Sequence, residues 1–229
     1  ERGGAALAHM LFGEADPSGR LPVTFPNSAS QLPTAGSQAQ YPGLGVEEFY
    51  SEGLDIGYRW YAAHQLFPAY PFGYGLSYTR FRYSGLNLVS FPADHGVVAD
   101  VSVRVTNVGN RTGHAVPELY LSLPATKDRA EPPLQLAGFQ GVTLKPGHSV
   151  DVTFHLTPRS FAYYSETANE WRVADGCFRV GVGTSAQSLP LRGVFARGSS
   201  CGAQAVALKI AGGQADRADV LPPQPRIWR

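Results

Sequence analysis

Four carboxylates, Glu47, Glu48, Glu52 and Asp55, fall close together and are followed by Tyr58, Trp60, Tyr61, Tyr70, Phe72, Tyr74 and Tyr78. Paired carboxyl groups can cleave a glycosidic bond, one protonating the leaving oxygen while the other attacks or activates water. Aromatic faces can receive the C–H groups of a sugar ring, so such a chain could also act as a carbohydrate-binding or adhesive module. Acids clustered in a loop more often stay solvated or pair with a cation, here Arg59, and aromatics at a junction more often pack two segments together. Those plainer readings are preferred. Gly181-Val-Gly183-Thr-Ser-Ala follows a strand as a dinucleotide fingerprint would, but Leu189 onward alternates as another strand instead of opening a helix, so it reads as a hairpin turn. There is no G-x-S-x-G elbow, and His9, His64, His95, His114, His148 and His155 are too isolated to ligate zinc. No catalytic residue, cofactor-binding residue, metal ligand or cofactor is assigned within the 229 residues.

The elements that must position these groups divide into an irregular half and a period-two half. Ala5 to Phe12 favours a helix, which Gly13 can end in the left-handed region. Asp16-Pro17-Ser18-Gly19 has turn chemistry, and Leu21, Val23 and Phe25 then alternate as a strand that Pro26 stops. A helix, turn and strand cannot bury themselves. They read as the last helix-strand unit of an α/β domain, 1–26, whose other elements lie upstream. From Asn27 to Phe49 the composition is that of a long loop. Tyr50 to Phe81 carries ten aromatic residues among Gly and Pro, fits neither a helical period nor a long strand, and reads as a packed connector, giving a linker-plus-connector segment at 27–82.

Beyond it the alternation becomes regular. Ala99, Val101, Val103 and Val105 alternate with polar residues, as do Val150, Val152, Phe154 and Leu156. Further strands are expected at Ala115–Leu123, Leu134–Leu144, Trp171–Val173, Cys177–Val182 and Leu189–Phe195. About seven short strands separated by turn signals predict a mainly β fold, an immunoglobulin-like or fibronectin type III-like sandwich over 83–197. The remainder, 198–229, reads as a tail.

Net charge is +1 with Lys and Arg scattered, so the basic footprint of a nucleic-acid binder is missing. No apolar run approaches the roughly 18 residues of a membrane span, which predicts no membrane partner. Of the two cysteines, Cys177 points away from the face holding Phe178, Val180 and Val182. It either bridges to Cys201, a pairing that would hint at secretion, or both remain unrelated thiols.

Several separated segments, in order, resemble the C-terminal part of glycoside hydrolase family 3, the β-glucosidase and β-xylosidase group. Pro17-Ser-Gly-Arg-Leu-Pro-Val-Thr-Phe-Pro26 resembles its P-S-G-(R/K)-L-P-x-(T/S)-x-P segment, and Tyr50-Ser-Glu-Gly-Leu-Asp-Ile-Gly-Tyr-Arg-Trp-Tyr61 its Y-x-E-G-L-x-V-G-Y-R-x-Y segment. Phe72-Gly-Tyr-Gly-Leu-Ser-Tyr-Thr-Arg-Phe81 matches F-G-x-G-L-S-Y-T-x-F, the most specific of them. Val105-Thr-Asn-Val-Gly109, Glu118-Leu-Tyr-Leu121, Leu136-Ala-Gly-Phe139 and Leu144-Lys-Pro-Gly147 are similar to its fibronectin type III-like domain. Two departures stand out. Val116-Pro117-Glu118-Leu119-Tyr120 replaces the common V-V-Q-L-Y, where a proline suggests an edge or a bulge, and Ala62 replaces an Asp that often follows G-Y-R-x-Y. The resemblance implies a retaining exo-acting hydrolase of β-glucosides or small β-linked oligosaccharides, with an Asp nucleophile in an N-terminal barrel and a Glu acid/base in the sandwich domain. Both would lie upstream of Glu1, in catalytic domains of the same chain. The 229 residues are then expected to be inactive alone and to complete and clamp those domains.

Overall fold

The computed structural model describes residues 2–93, 96–126, 130–197 and 201. The chain is mainly β: eleven strands and two short α-helices occur among the described residues. No helix there is long and apolar enough to cross a membrane.

Helix α1 (Gly3–Leu11) follows from its run of alanines and leucines and ends as its composition dictates. Phe12 N–H donates to Ala8 O, Glu14 N–H to His9 O, and Gly13 takes φ +76°. None of its residues is buried.

The strand expected at Leu21–Phe25 shrinks to one isolated bridge, Phe25 to Tyr70. Leu21 N–H donates to Tyr74 O and Gly73 N–H to Leu21 O, so the segment still runs beside 70–74, inside the connector. Pro22 and Pro26 supply no N–H, which leaves a ladder with gaps. Val23 and Phe25 stay 53% and 47% exposed, so the core face their alternation calls for is not provided by the described residues.

The connector departs from expectation in the other direction. Helix α2 (Tyr58–Ala63) forms between Gly57 at φ +56° and Gln65 at φ +55°. Six residues complete too few turns to display a 3.6 period, so the sequence shows no amphipathic signal. Upstream, 27–49 contains one 3-10 turn, Ala29–Gln31, and otherwise successive local turns.

From β1 (Phe81–Ala93) to β11 (Leu191–Arg197) the strands form two facing antiparallel sheets. One has the order β1, β2 (Gly96–Asn107), β7 (Ser149–Leu156); the other runs β11, β10 (Gly176–Gly183), β4 (Glu118–Ser122), β5 (Gln135–Phe139). Period-two alternation puts Val101, Val103, Val105, Val152 and Phe154 on one inner face and Leu119, Leu121, Phe178, Val180 and Val182 on the other. Phe161, fully buried, meets Phe178 and Phe195 edge-on at 5.4 and 5.3 Å between centroids.

The 13-residue β1 is hard to read because its alternation slips. Gly85 takes φ +65° and the register with β2 shifts between Ser84 and Asn87. The single strand expected at Leu134–Leu144 is two, β5 and β6 (Val142–Leu144), and its partner is likewise broken into β3 (Gly113–Ala115) and β4. Pro117 sits at that break, fully buried, with its carbonyl accepting from Gln140 N–H, and a register shift follows at Leu119/Tyr120. It therefore occupies neither an edge strand nor the shifted pair itself. β4 lies inside its sheet, between β10 and β5, and begins one residue after the proline. A hairpin of β8 (Ala162–Ser165) and β9 (Glu170–Val173) completes the set.

Cys177 and Cys201 are joined in a disulfide with Cα atoms 5.4 Å apart, which resolves the cysteine alternatives. It closes a loop over a sequence separation of 24 residues. Reduction is expected to lower unfolding stability by about 3 kcal/mol on loop-entropy grounds. Urea melts with and without reductant measure this; an unchanged midpoint would show that the bridge constrains nothing. The tail expected at 198–229 lies, apart from Cys201, outside the described residues.

Candidate functional site: the seam between connector and sandwich

Three clusters join the first 80 residues to the β-sandwich. In the first, the Asp16 carboxylate accepts from Ser77 Oγ at 2.9 and 3.0 Å, from Tyr78 N–H at 2.6 Å and from His114 N–H of β3 at 3.1 Å. Around it Tyr78 Oη donates to Met10 O, Arg111 Nη1 to Gly13 O, and the Arg111 guanidinium lies 5.6 Å from the Tyr78 ring centroid. A turn read from its Pro and Gly thus also supplies the anion that receives two backbone donors and a hydroxyl.

The second cluster centres on Asn107, wholly buried at the end of β2. Its Oδ1 accepts from Thr79 Oγ1 at 2.7 Å and Gly109 N–H at 3.0 Å, while Nδ2 donates to Arg111 O at 2.7 Å and Leu144 O at 2.8 Å. Both amide hydrogens and both acceptor sites are used.

In the third, the Phe72–Leu76 turn and α2 lie against β4 and β5. Tyr58 Oη accepts from Leu136 N–H at 2.8 Å, its ring is 4.7 Å from Phe72 and 5.8 Å from Tyr120, and Ala186 N–H donates to Phe72 O. Glu118 is 4% exposed and accepts from Tyr120 Oη at 2.6 Å. Burial pushes the Glu118 carboxyl up to about 7, against the opposing pulls of the Tyr120 hydroxyl and the Arg20 cation. Burial, followed by the Glu118 charge, raises Tyr120 as well. Beside this cluster a hollow of about 350 Å³ is lined by Thr24, Tyr61, Gln65, Phe67 and Arg192 among others, with Thr24 Oγ1 buried and without a partner among the described residues.

The four clustered acids do not converge on this seam. Glu47 and Glu48 are exposed, half-buried Glu52 accepts from Gln40 Nε2 at 2.9 Å, and Asp55 Oδ1 is buried without a partner among the described residues. Arg59 lies 5.9 Å from the Tyr58 ring and makes no ion pair among the described residues, where a carboxylate partner was expected. The aromatics divide: Tyr58, Tyr61, Phe72 and Tyr74 are buried or half-buried, Trp60 stacks on His64 at 4.3 Å, and Tyr70 and Tyr78 are 40% and 43% exposed. They are not coplanar faces of one platform; several carry the seam's own packing. Gly181–Gly183 ends β10, and a turn leads into antiparallel β11. Among the described residues, no three His, Cys, Asp or Glu side chains lie close enough to hold a metal ion.

Asp16, Asn107 and Glu118 were not visible as a group in the sequence, since each contacts residues 28 to 98 positions away or sits opposite them. The available signal was the set of separate segments at Pro17–Pro26, Val105–Gly109 and Glu118–Leu121 that carry the family resemblance.

Residues 1–78 match the Glycosyl hydrolase family 3 C-terminal domain, and residues 115–186 match the Fibronectin type III-like domain. The chain matches the C-terminal part of glycoside hydrolase family 3. Thermostable beta-glucosidase B of Acetivibrio thermocellus is 40% identical over 189 residues, which are 82% of this chain and 24% of that protein. Among solved structures, the GH3 beta-glucosidase of Bifidobacterium adolescentis is similar at 37% identity and a TM-score of 0.77, over 85% of this chain and 28% of that one. DesR, a beta-glucosidase of Streptomyces venezuelae solved with D-glucose, is similar at 31% identity and a TM-score of 0.76, over 83% and 24%. The chain thus spans about a quarter of the length of the family 3 relatives it matches. All three seam clusters combine residues of the two matched segments or their immediate flanks, so in family 3 terms the seam is the joint between the C-terminal domain and the fibronectin-like module.

Proposed function

We propose that this chain serves as the structural, domain-clamping C-terminal part of a retaining β-glucoside hydrolase, whose catalytic carboxylates and sugar pocket belong to upstream domains of the same protein. Residues 1–26 complete the α/β domain, 27–82 tie it to the sandwich, and 83–197 form the fibronectin type III-like buttress. The observation that carries this is where apolar surface remains uncovered. Of the 21 exposed large hydrophobics among the described residues, 17 lie between Leu7 and Tyr78, including Phe12 at 82%, Tyr50 at 76% and Phe67 at 75%, while the sandwich closes over its own core. Apolar surface concentrated in this way is normally covered by a neighbouring domain or partner. A β-linked oligosaccharide or glycoside is the substrate class this reading assigns to the whole protein.

The isolated 229 residues are expected to give no turnover of an aryl β-glucoside under conditions where the protein with its upstream domains is active. Turnover by the isolated chain that disappears in Glu52→Gln would overturn the proposal, because it would put the chemistry on this side of the seam.

A further inference from the structure

We propose that Glu118 is a proton-operated latch: neutral, it lets the Phe72–Leu76 turn lie flat on the sandwich; ionised, it loosens that turn. The geometry leaves the carboxyl little choice. It is 4% exposed on an interior strand, Tyr120 Oη is 2.6 Å from Oε2, and the backbone of Gly73 covers its other side so closely that a Cβ on Gly73 would stand 2.2 Å from Oε2 and 2.4 Å from Oε1. The turn itself therefore shuts most water off from the carboxyl. A neutral acid tolerates such a cover, whereas an anion loses hydration that only lifting the turn restores.

The charged and titratable groups acting on Glu118 are Tyr120 on its own strand and Arg20 from the turn ahead of the connector, while Tyr58 on α2 faces Tyr120. Arg20 donates to Gly19 O and His114 O, so it attracts the carboxylate through space without replacing its lost water. Phenols and guanidinium groups titrate well above neutral pH, which leaves Glu118 as the group of this cluster that changes charge between pH 5 and 8. Glutamine is isosteric with the neutral acid, so Glu118→Gln is expected to fold.

The sign follows from linkage. With the carboxyl held near 7 in the closed turn and near its ordinary 4.5 once opened, the closed form binds the proton more tightly. Its advantage is complete below about 4.5 and lost as pH rises through about 7. The turn should therefore open roughly tenfold more often at pH 8 than at pH 6.

Hydrogen exchange of peptides spanning residues 66–81, followed by mass spectrometry in the full-length protein and corrected for intrinsic exchange at each pH, reads this directly. Wild type should lose about tenfold protection between pH 6 and 8, and Glu118→Gln should show none of that loss. Tyr120→Phe removes the hydroxyl that favours the anion and should move the transition to higher pH. Equal pH dependence in wild type and Glu118→Gln would overturn the proposal. Should the glutamine variant fail to fold, an unmoved transition in Tyr120→Phe would overturn it instead.

Discussion

Asn107→Ala is expected to cost about 4 kcal/mol of unfolding stability, a large fraction of what a domain of this size possesses. The side chain is wholly buried and all four of its hydrogen-bonding positions are engaged. Truncation removes those bonds, each worth about 1 kcal/mol net, and leaves the Leu144 carbonyl without this donor beneath the sheet. The loss also reaches the seam, because Thr79 closes the connector through Asn107 Oδ1. Asn107→Asp sharpens the test. A carboxylate still accepts from Thr79 and Gly109, yet it cannot donate to Arg111 O and Leu144 O, so it should rescue little. Urea unfolding of both variants should show a lower midpoint with an unchanged slope. A cost below about 1 kcal/mol for alanine would mean that water or a shifted backbone replaces the amide, and that Asn107 is not a hub.

The parts of this fold that were legible in sequence are those where one residue pattern meets one solvent boundary. Ala99 to Val105 and Val150 to Leu156 alternate because each strand has one face in the core, and the structure pairs Val101 with Phe154 and Val103 with Val152. β1 was not legible: its alternation is interrupted at Gly85, where the strand changes register. Helix α2 was not legible because Tyr58 is placed for contacts with Phe72 and Tyr120, partners that lie beyond any local period. The strand at Leu21–Phe25 shows the opposite failure. Its alternation is real, but the face it implies has no cover among the described residues, which is why pattern alone overstated the element.

The seam was legible only as separate segments. Asp16-Pro17-Ser18-Gly19 has turn chemistry by itself, and nothing local reveals that the Asp16 carboxylate receives Ser77, Tyr78 and His114. Pro117 signals interrupted pairing, and the interruption is there, but whether it falls at an edge or at a break between β3 and β4 depends on the neighbouring strand. Glu118 in a run of hydrophobics looks like an outward-facing residue of a strand. It is buried because the connector folds back over that face, a contact set by residues more than 40 positions earlier.

The same fold-back makes Gly73 a position at which a single added methyl should be costly. Gly73→Ala is expected to cost about 3 to 5 kcal/mol, from two separable sources. The backbone at φ +84° lies in the region that side chains disfavour, worth about 1 to 2 kcal/mol. The added methyl would also stand 2.2 Å from Glu118 Oε2, 2.4 Å from Oε1 and 2.6 Å from Cδ, which forces either the turn or the buried carboxyl to move and adds about 2 kcal/mol or more. Glu118 cannot readily swing aside, since it is held by Tyr120 on an interior strand. Pairing Gly73→Ala with Glu118→Ala separates the two sources. With the carboxyl gone the methyl has room, and only the dihedral cost remains, so the double variant should be more stable than the sum of the single losses predicts by about 2 kcal/mol. Strict additivity in denaturant melts would place the whole cost in the backbone and would mean that the turn does not press on Glu118. A positive coupling would locate the closest approach of connector and sandwich at this one carboxyl, the contact on which the proton latch depends.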